Sequence, residues 1–156
     1  MTETKKYKLT IWISVCSLVL CVVTPIIFET LALAQNPTAS DEQLIARAIN
    51  GEARGEPYEG QVAVGAVILN RVASPDFPNT VAGVIYQPGA FTAVSDGQIN
   101  VPIDPNSTVL KAARDALNGW DPTGGCLYYW NPATATSKWI WSKKIVKTIG
   151  KHHFAK

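Results

Sequence analysis

The stretch "EGQVAVGAVILNRV", Glu59 to Val72, constrains this chain more than any other. Val62, Ala63, Val64, Ala66, Val67, Ile68 and Leu69 leave a helix here with almost no polar side to turn toward water. Such a helix belongs at the centre of a domain, with other elements packed around it. Gly65, in its middle, costs about 1 kcal/mol relative to alanine, which implies close packing against another backbone at that point. Ahead of it, Gly55 closes one helix and Pro57 opens the next.

The helix so closed is "DEQLIARAINGEAR", Asp41 to Arg54, with Ser40 and Gln43 as a capping box. Offsets of three, four and seven return to one face, so Ile45, Ile49 and Glu52 share a stripe meant for the core. An ionised carboxylate buried there without a partner is expensive. Glu52 therefore pairs with Arg54, Arg71 or a tyrosine, reaches water at the helix end, leaves the stripe through a shift of the helix boundary by a residue or two, or performs chemistry.

Beyond the turn "SPDFPN", a short helix is predicted over Thr80–Tyr86. The loop "QPGAFTAVSDGQINVPIDPN" follows, and loops of that length in a compact domain are usually functional or flexible. "STVLKAARDALNG" reads as a helix capped near Ser107, with Leu110, Ala113 and Leu117 on its apolar stripe and Gly119 as its stop. The tail alternates instead. "CLYYWNP", "SKWIW" and "KIVKTIG" read as short strands, with Trp139 and Trp141 on one face and Ile140 on the other. The expected class is α+β, a helical core first and a small β region after it.

The N-terminal third differs in kind. Lys5, Lys6 and Lys8 precede an uncharged run from Leu9 to Phe28, and small residues stand at Ala32 and Ala34. That is the order of a secretory signal with cleavage after Ala34, while the run also reaches the length of an uncleaved signal anchor. Residues 1–34 are thus read as signal peptide or anchor, 35–40 as linker, and 41–156 as the exported domain. Its destination is the periplasm or cell wall, and the N-terminal segment is its one expected link to the membrane. Cys16 and Cys21 fall in the signal, so Cys126 is the only thiol of the exported part and reads as a small buried hydrophobe. Counted from Gln35, 11 Lys and Arg face 10 Asp and Glu, a near-neutral surface that gives no reason to expect nucleic acid.

The segments "INGEARGEPYEGQVAVGAVILNRV", "FPNTVAGVIYQPGAFTAVSDG", "LYYWNPATATSKWIW" and "TIGKHHF" closely resemble the catalytic domain of SleB/CwlJ-type cell wall hydrolases, from Asp41 to Phe154. The resemblance implies a lysozyme-like helical core similar to lytic transglycosylases, in which one glutamate near the end of an early helix is the catalytic acid. Glu52 stands at that place. The spore enzymes' peptidoglycan-binding repeats have no room in 156 residues, so general wall remodelling is the expected role. The implied reaction is cleavage between N-acetylmuramic acid and N-acetylglucosamine, by a monomer without cofactor, giving 1,6-anhydro ends.

A carboxyl group that is to hold its proton near neutrality needs apolar surroundings, which Ile49 and the Val-rich helix are expected to provide. A hydrolase would need a second carboxylate, and Glu56, Asp96 and Asp121 are the choices. Sugar faces are expected to stack on Tyr86, Phe91, Tyr128, Tyr129, Trp130, Trp139 or Trp141, with Phe91 and Tyr129 foremost. Gln61, Asp96, Gln98 and Asn131 would bind hydroxyl and acetamido groups, and Glu56 would support the site. His152 and His153 point to opposite faces of a strand, so no shared metal is expected and His152 is assigned to holding that strand. Two other readings stay open: a tethered wall-binding module without turnover, and an amidase or peptidase acting on stem peptides.

Overall fold

The computed structural model describes residues 39–156. The predicted signal, its cleavage point and most of the linker lie outside them. Among the described residues no helix is long and apolar enough to cross a membrane.

Helix α1 spans Ala39–Ala53. It begins two residues ahead of Asp41, the start that the sequence predicts. Ile45, Ala46, Ala48 and Ile49 are fully buried along one face, the stripe that the spacing predicts. Helix α2, Tyr58–Ala73, starts from Pro57 and buries every residue from Gly60 to Ile68. Burial of each Val or Ile here contributes about 1.5–3 kcal/mol, which makes α2 the element the rest is built around. A Cβ on Gly65 would stand 3.0 Å from the Ala116 Cβ and 3.2 Å from the Ile49 Cδ1. Close packing at Gly65 is therefore what seats α2 between its two helical neighbours.

Helix α3, Val81–Ile85, is capped by the Thr80 side chain, which accepts from the Gly83 N–H. The following stretch, read as one long loop, contains helix α4, Thr92–Ser95, and a 3₁₀ turn over Gln98–Asn100. Helix α5, Thr108–Leu117, is capped by Ser107 as expected. Its buried face is Val109, Leu110, Ala112, Ala113 and Ala116, with Leu117 only half-buried. The small alanines let α5 close onto α2.

Three antiparallel strands complete the domain: β1 Tyr128–Trp130, β2 Ile145–Ile149 and β3 His152–Ala155, in the order β1-β3-β2. Register pairs Tyr129 with Phe154 and Trp130 with His153. The expected strand "SKWIW" is instead a 3₁₀ turn over Lys138–Ser142. Trp139 and Trp141 remain outward, at 54% and 50% exposure, over a buried Ile140. The sheet packs on the other side of α2 through Ala63, Val67, Cys126, Ile149 and Phe154. Cys126 is fully buried, its thiol donating to the Thr123 carbonyl at 3.3 Å, and burial pushes the thiol up from its ordinary value. The architecture is α+β, with the helical core first.

Candidate active site

A cavity of about 630 Å³ opens along the end of α1, and its lining includes Glu52, Arg71, Tyr129, Asn131, Trp139 and His152. Glu52, half-buried, belongs to the last turn of α1. Its Oε1 accepts from the Ala93 backbone N–H at 2.9 Å, and its Oε2 accepts from the Tyr129 hydroxyl at 3.2 Å. The apolar surroundings expected for this carboxylate are replaced, at its head, by two hydrogen-bond donors. Of the partners foreseen for Glu52, a tyrosine is the one present.

Gly51 explains how the Ala93 amide comes so near. A Cβ there would lie 2.5 Å from the Ala93 Cβ, so only glycine lets the α4 segment settle against α1. Tyr129 comes from the middle of β1. Burial, with the negative charge of Glu52 added, holds its hydroxyl well above the ordinary phenol value, so it remains a protonated donor.

Arg71 approaches from α2 and is only 8% exposed. Its Nε donates to the Leu127 carbonyl at 2.7 Å, and its guanidinium carbon lies 5.3 Å from the ring centre of Phe77 and 5.5 Å from that of Phe91. Burial lowers its pKa, opposed by the acidic groups of Tyr129, Tyr128 and Glu52. His152 on β3, 6% exposed, also lines the cavity. Its ring packs edge-on against Tyr129 at 5.3 Å between centres. Burial pulls its pKa below the usual histidine value, with the Glu56 charge acting against that.

A second stretch of the lining runs from Trp130 to Ile140. The Asn131 carbonyl accepts from the N–H groups of Thr134 and Ala135, and its Oδ1 accepts from the Ala133 N–H at 2.9 Å. That knot turns Thr134, Thr136 and Ser137 along the cavity. Trp139 stands beyond them, edge-on to Tyr128 at 5.4 Å, with Lys143 Nζ over the Tyr128 ring at 4.1 Å.

Glu52, Tyr129, Trp130, Asn131 and Trp139 are thus brought together, whereas several other expected site residues are not among the lining groups. Phe91, at 3% exposure, is core and supports the Arg71 guanidinium from below. Tyr128 backs Trp139 and is not among the lining residues. Glu56 Oε2 accepts from the Lys151 N–H at 2.8 Å, pinning the β2–β3 turn, where a Cβ on Gly150 (φ 56°) would collide with that carboxylate. Gln61 is buried and donates to the Glu56 carbonyl at 3.2 Å. Asp96 is exposed and accepts from the Gln98 N–H, while Gln98 accepts from Arg54 at 2.9 Å. Tyr86 and Trp141 face solvent elsewhere.

Asp121 organises its own loop. Although burial works to raise its pKa, hydrogen bonds from Thr123, Asn70 and Gly125 hold it below the ordinary carboxylate value. Among the described residues, Glu52 is the one carboxylate on the cavity wall. From the sequence, Arg71 is expected only as a partner for Glu52. Its signal was a cation set into a helix apolar all round.

A helical core that carries one carboxylate to an open groove, faced by a small sheet, is the frame of a cell wall hydrolase domain. Residues 55–155 match the Cell Wall Hydrolase family, and the chain belongs to it. The spore cortex-lytic enzyme of Bacillus cereus is 66% identical over 117 residues, 75% of this chain and 44% of that protein. The chain thus spans less than half the length of that relative. The cell wall hydrolase CwlJ of Bacillus subtilis is 33% identical over 124 residues, 75% of this chain and 85% of that protein. The solved catalytic domain of the germination-specific lytic transglycosylase SleB from Bacillus anthracis is 62% identical, with a TM-score of 0.73, covering 78% of this chain and 98% of that one.

Proposed function

We propose that the domain cleaves peptidoglycan glycan strands between N-acetylmuramic acid and N-acetylglucosamine as a lytic transglycosylase, with Glu52 as its acid and base. The observation that carries this reading is Glu52 standing alone among carboxylates on the cavity wall, with a donor on each oxygen. Glu52 gives its proton to the glycosidic oxygen, and the bond from that oxygen to the muramoyl anomeric carbon breaks. The Ala93 amide and the Tyr129 hydroxyl hold the carboxylate left behind. Glu52 then takes the proton of the muramoyl 6-hydroxyl, whose oxygen closes on the anomeric carbon to give the 1,6-anhydro ring. No water is consumed, and the substrate supplies the nucleophile, so a second carboxylate is not required.

Support also comes from the relative described as a lytic transglycosylase. The muramidase route needs a carboxylate across the cleft, and Glu56, Asp96 and Asp121 are engaged elsewhere. The uncharged Leu9–Phe28 run, with lysines before it, is the proposed export signal, which delivers the domain to the wall.

The test is a digest of purified peptidoglycan by the full chain. Anhydro-muropeptide masses are expected, and reducing muramic ends in their place would overturn the transglycosylase assignment. Glu52→Gln should lower turnover ~10²- to 10⁴-fold with the fold unchanged. Wild-type turnover by the folded variant would remove Glu52 from the mechanism.

A further inference from the structure

Arg71 has more hydrogen-bonding capacity than the protein uses. A guanidinium carries five N–H donors, and the bond to the Leu127 carbonyl engages only Nε. Among the described residues no acceptor takes the two terminal NH₂ groups, and no carboxylate lies within 4.0 Å of them. The ion pairs that do form, such as Arg114 with Glu42 and Lys147 with Glu59, involve other residues and have more exposed side chains.

A cation left unpaired at 8% exposure is retained against a desolvation penalty. The rings of Phe77, Phe91 and Tyr128, at 5.3, 5.5 and 6.0 Å, offset part of it and fix the plane of the group. What results is a preorganised pair of donors on the cavity wall, the only Arg or Lys among the lining residues. A planar fork of this kind suits a carbonyl or carboxylate oxygen better than a hydroxyl. The sugar hydroxyls have Thr134, Thr136, Ser137 and Asn131 to meet them instead.

We infer that Arg71 is the acyl-oxygen receptor of the cleavage site, binding a muramoyl acyl group through its terminal NH₂ groups. This rests on the glycan-cleaving reading above and names the part of the substrate that the cavity recognises. Two oxygens of that sugar share the chemistry: the acetamido carbonyl, and the lactyl carbonyl that bears the stem peptide.

The experiment separates them and stands apart from turnover. Binding of soluble peptidoglycan glycans is measured on the full chain carrying Glu52→Gln, with and without Arg71→Lys or Arg71→Gln. Both changes leave a donor near the Leu127 carbonyl, and thermal melts confirm folding. Three probes are used: intact glycan, glycan with its N-acetyl groups removed, and glycan stripped of stem peptides to leave free lactyl carboxylates.

Loss of affinity on the order of 10- to 100-fold for intact glycan is expected. If the acetamido oxygen is the partner, de-N-acetylated glycan binds the parent protein as weakly as the variants bind intact glycan, and the Arg71 changes cost nothing further. If the lactyl oxygen is the partner, the stripped glycan binds the parent more tightly than intact glycan, and the variants lose that gain. Equal affinity of parent and variants for intact glycan would overturn the inference. So would an equal loss on all three probes, which marks a structural role. Should Glu52→Gln retain full turnover while Arg71 still governs acyl recognition, the proposed chemistry fails and the receptor stands.

Discussion

The two walls of the cavity are built on opposite plans. One is the end of α1 with the α4 segment against it: Gly51, Glu52, Ala90 and Thr92 face the cavity, and Ile49, Phe91 and Ala93 lie behind, none more than 3% exposed. The other is the connection from β1 to β2, where an asparagine knot presents hydroxyls and an indole 54% exposed. On the first wall the positions are set by close packing and backbone, which suits a proton donor that must be placed to within a fraction of an ångström. On the second they are set by side-chain hydrogen bonds and an exposed ring, which suits binding of a long polar chain. On the proposed function, the difference puts chemistry on the helical side and grip on the other.

The change expected to do most to that division touches no reacting atom. Gly51→Val puts a branched side chain where even a Cβ would stand 2.5 Å from the Ala93 Cβ. The α4 segment must move off, taking the Ala93 amide from Glu52 Oε1. A shift of about 1 Å at a reacting group can cost roughly 10²-fold in rate, and overpacking costs about 1–3 kcal/mol of stability. We expect peptidoglycan turnover to fall by about that factor at a temperature where circular dichroism shows the chain folded. Unaltered turnover would mean that the amide contact contributes nothing, and the helical wall would lose its claim to the chemistry.

How much of this was legible in the sequence follows the same division. The place of α2 could be read because seven apolar side chains around a helix leave only one environment available, and Glu52 stood out because its neighbours at three and seven positions back are aliphatic. The strand expected at "SKWIW" is a 3₁₀ turn because out-in-out burial over so few residues fits both equally well. Sugar stacking is expected of Phe91 and Tyr128, yet Phe91 is core in an irregular stretch with no periodicity to show which way it points, and Tyr128, on β1, lies outside the cavity lining that its neighbour Tyr129 joins. Both serve the Arg71 guanidinium, a contact between α2 and segments 20 and 57 residues further along the chain. "NPATATS" looks like any turn, and only the fold brings its residues to the cavity that Glu52 also lines.

A smaller effect tests the gripping wall. Trp139→Ala removes an indole that is half exposed and backed by Tyr128. An aromatic contact of about 0.5–1.5 kcal/mol corresponds to roughly 2- to 12-fold in affinity, so KM for glycan should rise within that range, more than kcat falls. Loss confined to kcat would place Trp139 with the chemistry and erase the contrast between the walls.

The smallest effect belongs to His152, which stands on β3 and packs edge-on against Tyr129. Burial lowers its pKa in the folded chain, and the charge of Glu56 only partly opposes this. Between the folded value and the unfolded value of about 6.5, the unfolded chain therefore binds more protons, so stability must rise with pH across that window. The stabilisation is complete above the unfolded value and is lost as pH falls toward and through the folded one. Asp115 and Asp121 do not confuse the measurement, since both are held below the ordinary carboxylate value of 3.8 and keep their charge throughout. Melting temperatures recorded from pH 7.5 down to 5 should decline below about 6.5, and His152→Gln should flatten the decline. If the variant follows the wild-type curve, the proton is being taken up elsewhere, and His152 owes its position to packing against Tyr129 and Phe154 alone.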